Sequence, residues 1–187
     1  MPEVWQAVAR ETQLPELLKT TRDIPVYEDL MDYRLDILRA QGITLTDIQN
    51  EIAKLKPLDG AKDFLDWAGE RFQVAIISDT FYEFAGPLMV QLGDPFLLCH
   101  KLIVEDDRVV GYKQRQTDPK RHSVKAFKSL DLKVIAAGDS FNDVSMLEEA
   151  DHGIFFQAPE NVRAQFPQYP LAADYAELQA LIEEAVG

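Results

Sequence analysis

Cysteine is nearly absent: Cys99 stands alone in 187 residues, so no disulfide can form within the chain. That fits a reducing compartment, with Cys99 as a small core residue. Basic residues are scarce as well. The 19 Lys and Arg face 32 Asp and Glu, leaving a net charge of −13. Nucleic acid or an anionic membrane as main partner demands a basic footprint, which this balance does not provide. A small anion remains open to a local gathering of cations. No apolar run approaches the ~18 residues of a membrane span, and the opening MPEVWQAVARETQ lacks the basic-then-apolar layout of a signal peptide. The expectation is a cytoplasmic chain that takes a small molecule, with no nucleic-acid or membrane partner.

What is present is ordinary for a globular protein: 47% hydrophobic and 27% charged residues. The pattern changes near LKPLDG. Residues 1–56 read as helices: EVWQAVARET, then YEDLMDYRLDILRAQ stopping at Gly42, then TDIQNEIAKL with Thr46 as cap. From Pro57 onward helices alternate with the strands FQVAIIS, FLLCHKLIV with a hairpin through EDDRVV, VIAAG and HGIFF, while APENVRAQFPQYP reads as a loop. Such alternation builds a doubly wound α/β sheet, here 57–187, beneath a small helical cap, 1–56.

Ligands of these sheets gather at the carboxyl ends of the strands. After Val134–Ala137, read as a strand buried on both faces, GDSFND places Asp139 and Asp143 around a strand-to-helix turn with Ser140 or Asn142 as cap. Two carboxylates there repel each other, and a hard divalent cation would relieve that. After FQVAIIS come Ser78, Asp79 and Thr80, whose hydroxyls and backbone N–H groups suit either an anion or a plain helix cap. In DPKR, Asp118 is placed to cap and Pro119 to open a helix, yet Lys120 and Arg121 follow where the helix dipole disfavours cations by ~0.3–1 kcal/mol each. A phosphoryl group beside Lys120 would reverse that sign. Arg34 sits within the apolar stripe Leu30, Met31, Leu35, Ile37 and Leu38, where it either snorkels or meets a carboxylate or phosphate.

In that order, IISDT, DPKR and GDSFND resemble the second, third and fourth motifs of the haloacid dehalogenase superfamily. TTRDIPVYEDLM, LKPLDGA, LCHKL, RVVGY and APENV are similar to its phosphoserine phosphatase and phosphoserine:homoserine phosphotransferase branch along essentially the whole chain. The resemblance implies Mg²⁺-dependent phosphoryl transfer from L-phosphoserine through a phosphoaspartate, with water or homoserine as acceptor. It implies Mg²⁺ on Asp139 with Asp143 in support, phosphoryl oxygens on Ser78 and the backbone of Asp79, and Lys120 neutralising the phosphate. Asn142 would touch phosphate or substrate, Arg34 would pair with the substrate carboxylate, and Glu3 would receive its ammonium.

The family's first motif, Asp-x-Glu or Asp-x-Asp at the end of a first strand, supplies the nucleophile, and no counterpart stands here; related sequences carry it just before VPEVW-like residues. The expectation is therefore a nucleophile upstream of these residues, a sheet that lacks its first strand, and a chain inactive as it stands. The alternative is a non-catalytic remnant or a module that binds a phosphoamino acid.

Overall fold

The computed structural model describes residues 2–20, 23, 24 and 26–187, apart from the side chains of residues 2–4, 11 and 27. The chain divides into two compact units, 1–115 and 116–187. The mixed α/β class holds, with helices between strands throughout.

The first unit runs α1 (Pro2–Thr12), a 3₁₀ turn, α2 (Tyr27–Gln41), α3 (Leu45–Ile52), α4 (Ala61–Gly69), β1 (Ile76–Phe81), α5 (Tyr82–Gln91), β2 (Leu97–Glu105) and β3 (Arg108–Lys113). β1 lies parallel to β2, and β2 returns through the expected hairpin to an antiparallel β3. The helices of residues 1–56 share one core with this sheet. Val8, Met31, Leu38, Ile48 and Ile52 pack in the same cluster as Phe81, Phe84 and Leu102, and Trp5 meets the Phe84 ring edge-on at 5.6 Å. Cys99 lies buried, and burial, then the Glu83 charge, pushes its thiol up to about 12. It is a core residue, as expected.

Local chemistry sets the boundaries. α2 stops at Gly42, whose φ of 67° is left-handed backbone that glycine takes without strain. The cap of α3 is Thr44 rather than Thr46: the Thr44 hydroxyl accepts from the Asp47 N–H, and the Asp47 carboxylate accepts from the Thr44 N–H. Thr46 instead donates its N–H to the Asp107 carboxylate. β1 begins at Ile76, four residues later than FQVAIIS suggests, and runs through Phe81. α5 carries Pro87 inside it, which removes the donor that would meet the Glu83 carbonyl four residues back. Gln49 of α3 fills the gap, donating its Nε2–H to that carbonyl at 2.8 Å.

The second unit runs α6 (Pro119–Ser129), β4 (Ile135–Gly138), a 3₁₀ turn (Phe141–Asp143), α7 (Val144–Glu149), β5 (His152–Phe156), α8 (Glu160–Arg163), β6 (Leu171–Ala172) and α9 (Tyr175–Val186). Its sheet is parallel, in the order β4-β5-β6. The stretch read as a loop holds α8 and leads into β6, which is too short for a periodic signal. The strand read as buried on both faces is not: in β4 only Ala136 is buried and Ala137 is exposed. The reason is position. β4 and β1 are each outermost in their sheet, with a strand partner on one side only among the described residues, so the strands form two sheets of three rather than one. No strand carrying Asp-x-Glu or Asp-x-Asp at its end is among them.

Gln49→Ala should lower the unfolding free energy by ~1–3 kcal/mol by stranding the Glu83 carbonyl. In a Pro87→Ala background, where the helix regains its own N–H, the same change should cost clearly less. Denaturant unfolding of the four forms measures this coupling; equal costs in both backgrounds would refute it.

Candidate active site

In the first unit the site residues sit on a break in the β-ladder. Ile77 pairs with Leu98, yet Phe81 pairs with His100, so four steps along β1 match two along β2. The surplus falls on Ser78, Asp79 and Thr80. A bulge of this kind turns backbone N–H groups away from the neighbouring strand and re-aims side chains. These residues do not cap α5: its N-cap is Phe81, and the Ser78 hydroxyl instead accepts the Thr80 N–H at 3.3 Å. Asp79 is partly exposed, its Oδ1 4.0 Å from Nε2 of the buried His100.

Arg34 is buried with Leu30, Met31, Leu35 and Leu38, as its place in the stripe suggests. Its guanidinium lies over the Trp5 ring, 4.5 Å from the centroid, and one Nη donates to the Lys19 carbonyl at 2.6 Å. It does not snorkel outward. The Glu3 side chain falls outside the described residues.

In the second unit, β4 delivers Gly138 to a tight turn in which Asp143 folds back on the strand end. Asp143 Oδ2 accepts from the Asp139 N–H at 3.0 Å, the Ser140 N–H at 3.0 Å and the Ser140 hydroxyl at 2.8 Å. Oδ1 accepts from Lys120 Nζ at 2.7 Å, in a pair with both side chains buried. Burial alone pushes the Asp143 carboxyl up. The Lys120 ammonium, with Ser140 and the Asp139 amide, outweighs it and holds the carboxyl below the usual aspartate range. Asp139 moves the other way: partial loss of water, then the adjacent Asp143 charge, raises its carboxyl although the residue as a whole is exposed. Ser140 is the cap of the 3₁₀ turn, and Asn142 is exposed on it.

Asp118 occupies the position before α6 without capping it; its carboxylate accepts from the Ser145 hydroxyl at 2.7 Å instead. The two cations that follow are compensated by acids distant in sequence, Lys120 by Asp143 and Arg121 by Glu149 at 2.9 Å.

For a metal, the donor chemistry is all oxygen, which suits Mg²⁺ rather than a soft transition ion. A cation beside Asp139 would offset the influences that raise its carboxyl. Asp143 is already engaged at both oxygens, which fits a supporting place behind Asp139. Among the described residues no group of three or more His, Cys, Asp or Glu is arranged to hold a metal, so Asp139 fits as one contributor to a shell completed by other oxygens.

Two features escaped the sequence. Ser140 was visible only as a cap, whereas its amide and hydroxyl also clasp Asp143. His100 stood in LCHKL without a role, because its approach to Asp79 arises from a bulge that periodicity does not reveal.

Residues 6–151 match the model of the haloacid dehalogenase-like hydrolases. A phosphoserine phosphatase ThrH of Pseudomonas aeruginosa is 61% identical over 96% of this chain and 88% of its own length. A phosphoserine phosphatase of Pseudomonas syringae is 58% identical over 96% of this chain and 76% of its own. Among solved structures, a phosphoserine phosphatase from T. onnurineus in complex with NDSB-201 superposes with a TM-score of 0.70 at 27% identity, covering 96% of this chain and 86% of that one. With the motifs on the strand ends where such chemistry resides, the chain belongs to the haloacid dehalogenase-like hydrolases.

Proposed function

We propose that these residues belong to an enzyme of Mg²⁺-dependent L-phosphoserine hydrolysis, with homoserine as a second phosphoryl acceptor, whose nucleophilic carboxylate is not among them. The observation that carries the reading is the 61% identity over 96% of the chain to a protein named as a phosphoserine phosphatase. The clasped Lys120 beside Asp139 supports it from the geometry.

In this reading Lys120, held by Asp143, meets the phosphoryl oxygens as their charge develops. Ser78 and the backbone of Asp79 serve as donors to phosphoryl oxygens, and Asn142 reaches phosphate or substrate. Mg²⁺ on Asp139, with Asp143 behind, would supply the charge that neutralises the transferring phosphoryl group. Arg34, stiffened against Trp5, receives the substrate carboxylate and Glu3 the ammonium, with residues 1–56 serving as a helical cap. The accepting carboxylate in this reading is that of an Asp-x-Glu strand end, which the described strands do not carry. A binding module for a phosphoamino acid is the competing reading, favoured by the lack of that carboxylate among the described strand ends.

Phosphate release from phosphoserine separates the two. The 187 residues alone should release none, whereas the same residues preceded by an apolar strand ending in Asp-x-Glu should turn over with Mg²⁺. In that active form Asp139→Ala should abolish turnover while leaving the unfolding midpoint nearly unchanged, and Lys120→Ala should lower kcat more than it raises KM. An inert extended form would favour the binding module.

Arg34→Ala in the active form should cost ~2–5 kcal/mol in kcat/KM for phosphoserine and scarcely touch a small aryl phosphate that has no carboxylate. Equal losses on both substrates would show that Arg34 does not read the carboxylate.

A further inference from the structure

Asp79 poses an electrostatic problem for the site just described. Its backbone is presented to a phosphoryl group by the β1 bulge, yet its side chain is a carboxylate on the same residue. A negative charge that close to a phosphoryl oxygen repels it strongly in a partly desolvated site. Something must keep that carboxylate turned away.

His100 is placed to do this. Its ring is buried, with the side chain 5% exposed. Nδ1 accepts the Arg115 backbone N–H at 3.1 Å, so the proton of the neutral ring sits on Nε2. Nε2 lies 4.0 Å from Asp79 Oδ1, beyond direct hydrogen-bond length, so its pull on the carboxylate is electrostatic. The Arg115 side chain is itself anchored, Nε to the Cys99 carbonyl at 3.3 Å and Nη2 to the Tyr82 hydroxyl at 2.6 Å, and the Tyr82 hydroxyl donates to the Leu97 carbonyl at 3.0 Å. The imidazole thus has a defined tautomer and a fixed direction before any ligand arrives.

We propose that His100 is a positioning residue of the phosphatase site: its Nε2–H draws the Asp79 carboxylate toward β2, so that the bulge offers the phosphoryl group backbone N–H donors and not a negative charge. The inference rests on the reading of Ser78 and Asp79 as the phosphoryl cradle. It predicts that His100 matters through Nε2, whereas a purely structural histidine would matter through Nδ1, which closes the contact to Arg115.

Two substitutions in the active form separate the nitrogens. In His100→Asn the amide oxygen can replace Nδ1 as acceptor for Arg115, but the side chain is too short to approach Asp79 as Nε2 does. In His100→Gln the amide nitrogen can take the place of Nε2, while the acceptor for Arg115 is lost. His100→Asn should keep most of the unfolding midpoint yet raise the inhibition constant of inorganic phosphate and lower kcat/KM by roughly tenfold, the scale typical of supporting residues. His100→Gln should be the less stable of the two and the more active. Asp79→Asn, which removes the charge, should shrink the effect of His100→Asn on the phosphate inhibition constant. Imidazole ¹⁵N shifts of the unsubstituted protein should report the Nε2–H tautomer, a result independent of whether either variant folds. A protonated Nδ1, or activity that tracks stability across the two variants, would overturn the proposal. Ser78→Ala tests the underlying cradle separately: a loss there with none in His100→Asn removes His100 alone, and no loss in Ser78→Ala removes the cradle and this role with it.

Discussion

The buried pair between Lys120 and Asp143 is the interaction on which the second unit's strand end depends. Taking both charges out of water costs several kcal/mol per ion, and their attraction repays this only when the remaining oxygens are satisfied. Here they are: Asp143 accepts one bond from Lys120 and three from Asp139 and Ser140. The clasp holds the turn after β4 closed, draws the first turn of α6 to it, and leaves Asp139 outermost. It also explains Gly138. A Cβ there would lie 2.4 Å from Asp143 Cβ and 2.7 Å from its Cγ, so any side chain would push apart the groups that hold the lysine.

The first unit reaches a comparable result by different means. Its ladder is interrupted at Ser78–Thr80 and then resumes, and beyond the ladder polar groups find partners outside it. The Glu83 carboxylate accepts the Leu102 N–H at 2.9 Å where β2 continues past the end of β1, while the Glu83 carbonyl, denied its helical donor by Pro87, is met by Gln49. A single residue thereby ties α3, α5 and β2 together beneath the bulge. The polar groups of this region are thus paired across elements rather than within one.

Much of this was legible in the residues, and the exceptions have physical causes. The helices of 1–56, the stop at Gly42, the burial of Arg34 and the turn around Asp139 follow from periodicity, capping and the dipole, all of which act within a few residues. What was misread depends on partners far along the chain. Thr46 is diverted to Asp107, distant in sequence, which leaves the cap of α3 to the local Thr44–Asp47 pair that the reading passed over. Asp118 does not cap because Ser145 takes its carboxylate. Lys120 looked like a cation awaiting an anion, and its resident anion, Asp143, could not be assigned from spacing. The half-exposure of β4 and the two separate sheets reflect strand neighbours, which alternation alone does not specify.

The clasp has a direct signature in acid. Asp143 is held below its ordinary value near ~4, so its contribution to stability is present above that pH and is lost as the pH falls through the lowered folded-state value. Asp139 is shifted the opposite way, so the comparison is best made with Asp139→Asn in both forms. The decisive measurement is the unfolding free energy of Asp139→Asn and of Asp139→Asn with Asp143→Asn, from neutral pH down to about pH 3. The account predicts that the form retaining Asp143 is the more stable at neutral pH and that its advantage shrinks steadily as the solution is acidified below about pH 4. A gap between the two that stays constant with pH would contradict it.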